Sequence, residues 1–288
     1  MTETFRCPVC HHDHWQPWLV CRDYTTSHED FQLQRCSRCG LVATHPAPPQ
    51  NELPRYYQSE DYISHTGGSN SLIDVAYRWV RNRNIRWKEK VLRQYSPGTS
   101  LLDYGCGTGE VIDYCSRNGW QVHGVEPSEN ARERAQLHGI PVTAALPPST
   151  RHFSAISLWH VLEHVPDPAQ TLADLMDRLA EDGTIFVAVP NCASADAQHY
   201  GSAWAGYDVP RHLWHFRQPV MNELLNNAGL QMINTIPMQW DAFYVSMLSE
   251  KYLGHSLAPV RGLWRGWQSN QHAAGTGEYS SLLYIAKR

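Results

Sequence analysis

The sequence predicts an α/β fold, with a small four-cysteine module ahead of a larger sheet-and-helix domain. Three observations carry this. Two CxxC pairs, Cys7/Cys10 and Cys36/Cys39, stand near the N-terminus. From residue 100 the pattern becomes strand, turn, helix, repeated. A glycine loop, Gly105-x-Gly107-x-Gly109, joins the first such strand to its helix. The 288 residues are enough for one large domain or two unequal ones. The expected division is 1–45 for the cysteine module, 46–97 for a linker or lid with an amphipathic helix, and 98–288 for the main domain.

Composition narrows the function. Lys+Arg is 24 against Asp+Glu 28, a net charge of −4. This argues against a strongly basic nucleic-acid binder and leaves only a local basic patch open. Mean hydropathy is −0.47. The longest apolar stretches are strand-length, whereas a membrane-spanning helix needs about 20 apolar residues, so no membrane partner is expected. The opening MTETFRCPVCHHDHW lacks a hydrophobic region of signal-peptide length, and a cytoplasmic protein is expected.

In a reducing compartment, paired CxxC reads as metal before disulfide. CPVC and CSRCG are separated by 25 residues, and four thiolates suit tetrahedral structural Zn²⁺. Pro8 stiffens the first knuckle, and Gly40 follows the second where the chain must turn. The predicted ligands are Cys7, Cys10, Cys36 and Cys39; His11, His12, His14 and Cys21 are left out. A redox CxxC and a metal-free knuckle are the rival readings. A closed four-thiolate site leaves no position for substrate, so its work is to fold a module too small for its own core.

Residues 45–70 hold four prolines and a Gly-Gly pair, as a linker or lid does. Tyr56, Tyr57 and Tyr62 are expected to pack it on the main domain, with a roof over a substrate pocket as the rival. Residues 71–95 read as an amphipathic helix through Leu72, Val75, Ala76, Trp79, Val80, Val91 and Leu92. Arg78, Arg81, Arg83, Arg86, Lys88 and Lys90 make the other face, expected to be solvated.

SLLDYGCGTGEVIDYC is the sharpest stretch. Leu101 and Leu102 end a buried strand, Asp103 follows, and the glycine loop opens into a helix with Val111, Ile112 and Cys115. The next strand, WQVHGVEP, closes on Glu126, 17 residues after Gly109. An acid there can bond both hydroxyls of a ribose. A dinucleotide loop reads GxGxxG and keeps the helix start free for pyrophosphate. Here the third glycine falls one place early, and Glu110 would repel a pyrophosphate. The pattern therefore fits S-adenosylmethionine (SAM) better, and Asp103 suits its cationic amino-acid tail. Further along, 168–180 reads as a helix stopped at Gly183, TIFVAVP as a strand, QPVMNELLNNAGL as a helix, QMINTIPM and SLLYIAKR as strands. Residues 240–277, with Trp240, Trp264 and Trp267, read as a cover over the active face.

LLDYGCGTGE, GVEPS and LWHVLEHVPDP together resemble the class I SAM-dependent methyltransferases, over roughly residues 98–288. With the ribbon ahead of it, the chain resembles bacterial methyltransferases of sugar and polysaccharide pathways, and is shorter than the sugar C-methyltransferases. The resemblance implies a Rossmann-like seven-stranded sheet. It also implies a cofactor site of Asp103, Gly105, Gly107, Gly109 and Glu126, with Trp159 and His160 near the sulfonium. Two departures stand out. The third strand lacks the acid often found near adenine, and Ser154 replaces the usual Asp before the fourth strand. Two histidines of the C-methyltransferases fall on His164 and His212, the expected catalytic pair. The glutamate that precedes the second is Arg211 here, which favours an oxygen acceptor. Arg211 would bind a substrate anion or pair with Asp208; His215 is expected to be packed or at the surface. The expected function is SAM-dependent methylation of a small acceptor, first a nucleotide- or glycan-linked sugar hydroxyl. RNA or protein methylation and a non-catalytic SAM-binding scaffold are the alternatives. A homo-oligomer is left open.

Overall fold

The computed structural model describes residues 5–49, 51–57 and 72–288, with only the backbone over 72–79. The reading of Tyr62, and of the side chains from Leu72 to Trp79, lies outside these. Two sheets form among the described residues. The smaller joins β1 (Trp15–Arg22), β2 (Asp30–Cys36) and β3 (Val42–Thr44) to β9 (Trp214–His215), far along the chain. The larger has seven strands in the order β10-β11-β8-β7-β4-β5-β6. These are β4 (Ser100–Tyr104), β5 (Gln121–Val125), β6 (Val142–Thr143), β7 (Phe153–Trp159), β8 (Leu179–Pro190), β10 (Gln231–Pro237) and β11 (Ser281–Lys287). β4 to β8 pair in parallel, and β11 runs antiparallel to both of its neighbours.

Strand alternation builds two cores. Leu102, Ile156, Val187 and Tyr284 face one side; Leu101, Ala155, Phe186 and Leu283 face the other. The first side is covered by α4 (Pro168–Met176) and α6 (Gln218–Asn227), the second by α1 (Leu72–Tyr95) and α2 (Glu110–Arg117); α3 (Glu129–Gln136) and α5 (Ala195–Tyr200) fall between them in sequence. Cys7, Val9, Cys36, Leu41 and Ala43 are continuous with the first core. Asn227 Nδ2 donates to Val9 O at 2.7 Å, and Arg217 Nη2 to Cys39 O at 3.1 Å. The cysteine module is thus seated on the large domain.

Ser154, standing where an acid was expected, makes a strand clamp. Its Oγ accepts from Ser100 N at 3.0 Å, and its N donates to Ser100 Oγ at 2.8 Å. Two expectations shift. The helix expected to reach 180 ends at Met176, because Leu179 is fully buried and already pairs with Phe153 at the start of β8. Residues 240–277 form a helical hairpin, α7 (Gln239–Tyr252) and α8 (Ala258–Thr276). Its tryptophans point outward: Trp240, Trp264 and Trp267 are 55%, 55% and 46% exposed. The close seams are backbone-to-glycine, where Gly262 and Gly266 of α8 meet Met247 and Phe243 of α7.

Candidate active site

The candidate residues collect at the carboxyl ends of the parallel strands, where open α/β sheets carry ligands. After β4 the loop turns at once: Gly105 N and Cys106 N both donate to Val125 O, at 2.7 and 3.0 Å. Gly105, Gly107 and Gly109 have φ of +74°, +55° and +80°, the left-handed region that disfavours side chains. They differ in what surrounds them. A Cβ on Gly105 would lie 2.5 Å from Val161, and one on Gly109 2.8 Å from Ala135, so these two allow close packing. A Cβ on Gly107 would meet nothing within 4 Å among the described residues, so that glycine faces open space there. The Glu126 carboxylate borders this space, accepting from Gly107 N at 2.9 Å and Ser128 N at 2.8 Å. Glu110, at the start of α2, is paired with Arg81 at 2.7 Å.

Asp103 is buried beneath the loop. Ser157 Oγ donates to it at 2.5 Å. Burial pushes its carboxyl up to about 6, against the pull of Ser157 and Lys88. Lys88 is not on a solvated face as expected. Its ammonium sits 4.5 Å from the centre of the Trp159 ring. Burial holds its pKa down, while Asp103, Asp241 and Glu110 oppose that. Among the described residues, the buried indole nitrogen of Trp159 has no hydrogen-bond partner.

His160, just past β7, is held between two acids. Its Nε2 lies 3.1 Å from Asp241 on α7, and its Nδ1 3.5 Å from Glu163. Burial works against the imidazolium, but the two carboxylates prevail and raise the pKa to about 9. His160 is therefore a cation at neutral pH, with a strained φ of +58°, and cannot serve as a base there.

His164 and His212 come together from distant segments, their rings 4.5 Å apart and edge to face. His164 Nδ1 lies 3.0 Å from Arg211 O and 3.2 Å from Tyr57 Oη. His212 Nδ1 lies 3.0 Å from Gly206 O. A carbonyl can only accept, so each Nδ1 carries a proton and Nε2 is the nitrogen left for a further partner. Burial, then the neighbouring His212, drops the His164 pKa to about 4, so it is neutral. Glu163, 1% exposed, lies beside both. His215 is packed, 3.0 Å from Thr44 Oγ1, which itself donates to His212 O at 2.7 Å.

Arg211 is fully buried, 1% exposed. Its Nη2 reaches Asp23 at 3.0 Å and Asp208 at 2.7 Å, and its Nη1 donates to Tyr56 O at 2.8 Å. The ion-pair reading holds, with a second acid from the N-terminal module. Asp23, Lys88 and Asp241 escaped sequence reading. Asp23 had a local signal, the DYTTS turn in which it accepts from Thr25 N, Thr26 N and Ser27 N. Lys88 and Asp241 had none, because each meets the site only through helix packing.

Residues 77–235, more than half the chain, match the family described as "Methyltransferase domain". The chain belongs to that family. As such it is a SAM-dependent methyltransferase by class. Among curated proteins it is similar to a ubiquinone biosynthesis O-methyltransferase of Albidiferax ferrireducens, 28% identical over 143 residues, 41% of this chain and 56% of that relative. The namesake from Xanthomonas oryzae pv. oryzae is 24% identical over 184 residues, 56% of this chain and 77% of the relative. The methyltransferase fold is shared with magnesium protoporphyrin IX methyltransferase from Synechocystis PCC 6803, solved with bound SAH. Its TM-score is 0.54 at 13% identity, covering 83% of this chain and all of that one. Coclaurine N-methyltransferase, bound to N-methylheliamine and SAH, gives 0.51 at 15% identity, covering 77% and 75%. The seven-stranded expectation holds. The curated relatives named here act in ubiquinone biosynthesis by name and lend no support to a sugar acceptor. Among the described residues, no helix is long and apolar enough to cross a membrane.

Proposed function

We propose that the chain transfers the methyl group of SAM to a hydroxyl of a small acceptor, with a nucleotide- or glycan-linked sugar as the first candidate. The supporting observations are the open Gly107 beside Glu126 and the His164–His212 pair, which begins in the turn that follows β7. In this reading Glu126 holds the ribose, the backbone at Gly105, Gly107 and Gly109 lines the cofactor, and Asp103 meets the amino group of the methionine end. Trp159 and His160 lie beside the sulfonium. Methyl transfer is an in-line displacement on an already activated carbon, so alignment is the main demand. The acceptor hydroxyl must also lose a proton. His164 and His212 serve that end of the site.

Zinc fits the N-terminal module. Cys7 Sγ and Cys39 Sγ are 3.5 Å apart, as are Cys10 Sγ and Cys36 Sγ. That is too long for a disulfide and close to the roughly 3.8 Å edge of a tetrahedron of Zn–S bonds. All four sulfurs lie within 4.8 Å of one another. Bound there, Zn²⁺ supplies folding energy and no chemistry. Cys21 lies instead in an apolar cluster with Leu33 and Val42. The division at 1–45, 46–97 and 98–288 is kept as the working organisation, with the ribbon as scaffold for the acceptor end.

The Asp103 role has a pH signature. The carboxylate is the form that pairs with an ammonium, so affinity is full above the Asp103 pKa of about 6 and falls below it. SAM is expected to bind roughly tenfold more weakly at pH 5 than at pH 7, and Asp103→Asn should flatten that dependence. A wild-type affinity unchanged over the interval would remove Asp103 from the cofactor site.

The acceptor class is tested with methyl-labelled SAM offered to a panel of nucleotide- and glycan-linked sugars, and separately to RNA and to protein. The label is expected in the sugar fraction. Label in RNA or protein alone would replace this reading.

A further inference from the structure

The buried cluster behind the cofactor loop has a feature that two catalytic histidines do not explain. Glu163 is 1% exposed, yet neither of its carboxylate oxygens accepts a hydrogen bond among the described residues. Its nearest cation, His160 Nδ1, stands 3.5 Å off and is shared with Asp241. Beside it stand His164 and His212, each with its Nδ1–H given to a carbonyl, of Arg211 and of Gly206, which leaves Nε2 for a further partner. One ligand atom from each of Glu163, His164 and His212 lies within 4.8 Å of the others. A buried carboxylate that lacks a hydrogen-bond donor among the described residues thus meets two imidazoles, and buried acceptors require a partner. Asp208 does not supply it: its Oδ2 is 3.9 Å from His212 Nε2, and both its oxygens already accept from Arg211 Nε.

We propose that Glu163, His164 and His212 hold a divalent transition-metal ion, whose open position takes the acceptor's hydroxyl oxygen. This rests on the methyl-transfer reading for the acceptor but not for the ion. Two imidazoles and a carboxylate suit Zn²⁺, Mn²⁺ or Fe²⁺ better than the all-oxygen preferences of Mg²⁺ or Ca²⁺. Carbonyls that hold each Nδ1–H are the outer shell that ligating histidines usually have. With bonds of about 2.1 Å, the three groups need to close by roughly an ångström. The ion lowers the pKa of the hydroxyl, whose proton leaves to solvent. The oxygen then forms its bond to the methyl carbon as the carbon–sulfur bond breaks. The electron pair returns to sulfur, leaving the neutral thioether S-adenosylhomocysteine and the methyl ether. The two histidines act here as ligands, and the ion takes over the work of a base.

The test is a Co²⁺ titration of the full chain with its thiolate module loaded with zinc, followed by visible absorption. One equivalent is expected to bind with bands of nitrogen and oxygen ligation and without thiolate charge transfer. Glu163→Gln and His212→Gln should each weaken it at least tenfold, and SAM calorimetry reports that each variant is folded. Two results overturn the proposal: no Co²⁺ bound except by displacing thiolate-held zinc, or equal Co²⁺ affinity in wild type and both variants. Failure of the methyl-transfer reading shows separately. Co²⁺ binding without SAM binding leaves the ion site standing, whereas SAM binding and transfer without Co²⁺ binding removes it.

Discussion

Replacing Arg211 with methionine is expected to cost about 3 kcal/mol of stability, far more than its place in a loop implies. The guanidinium joins three parts of the chain: Asp23 from the N-terminal module, Tyr56 O from the following 3₁₀ turn (Leu53–Tyr57), and Asp208 from its own loop. Asp23 is 0% exposed at its side chain, and Arg211 holds its carboxyl well below the usual range against the effect of burial. Methionine keeps the volume but strands that carboxylate. The turn donors from Thr25 to Ser27 remain, which keeps the cost at the low end for breaking a buried pair. Thermal unfolding should shift down by roughly 5–10 °C. Arg211→Lys should recover only part, since a lysine cannot form the forked contacts. Because Arg211 O also receives His164 Nδ1–H, the acceptor end should loosen while SAM affinity stays close to wild type. Unchanged stability in the methionine variant would mean that the network is solvated.

Glu126→Ala is expected to do the opposite, leaving the fold and removing the cofactor. Glu126 is partly exposed, and its two partners, Gly107 N and Ser128 N, can be met by water once it is gone. A ribose held by two charge-assisted hydrogen bonds loses about 3 kcal/mol or more without them, which is a hundredfold or greater rise in the dissociation constant for SAM. Titration calorimetry checks it, with thermal unfolding as the control. An affinity within threefold of wild type would move the ribose elsewhere.

How much of this was legible depended on sequence distance. The glycine loop, Glu126 and Asp103 lie within one strand–loop–helix–strand unit, where spacing alone carries the geometry. The cysteine spacing was equally local. His164 and His212 were reached by resemblance, but their meeting depends on how residues 205–213 fold back, including the Leu213 N bond to Glu163 O. Glu163 gave no sign of its buried carboxylate, because a single acid in a turn carries no periodic signal of burial. Lys88 read as solvated because it stands in a run of basic residues, of which Arg86 and Lys90 are exposed; its inward turn comes from helix α1 packing on Trp159 of β7. The seam of the 240–277 hairpin was not legible, since the glycines of α8, rather than the indoles, face the partner helix.

The central claim is transfer of a methyl group from SAM to the oxygen of a small hydroxyl acceptor. The most direct measurement is carbon NMR of the product formed from SAM carrying a ¹³C-labelled methyl group and the sugar panel. The account predicts a single new methyl ether carbon on the acceptor, dependent on Glu126. Label found on carbon or nitrogen, or no transfer to any acceptor by a chain that binds SAM, would contradict it.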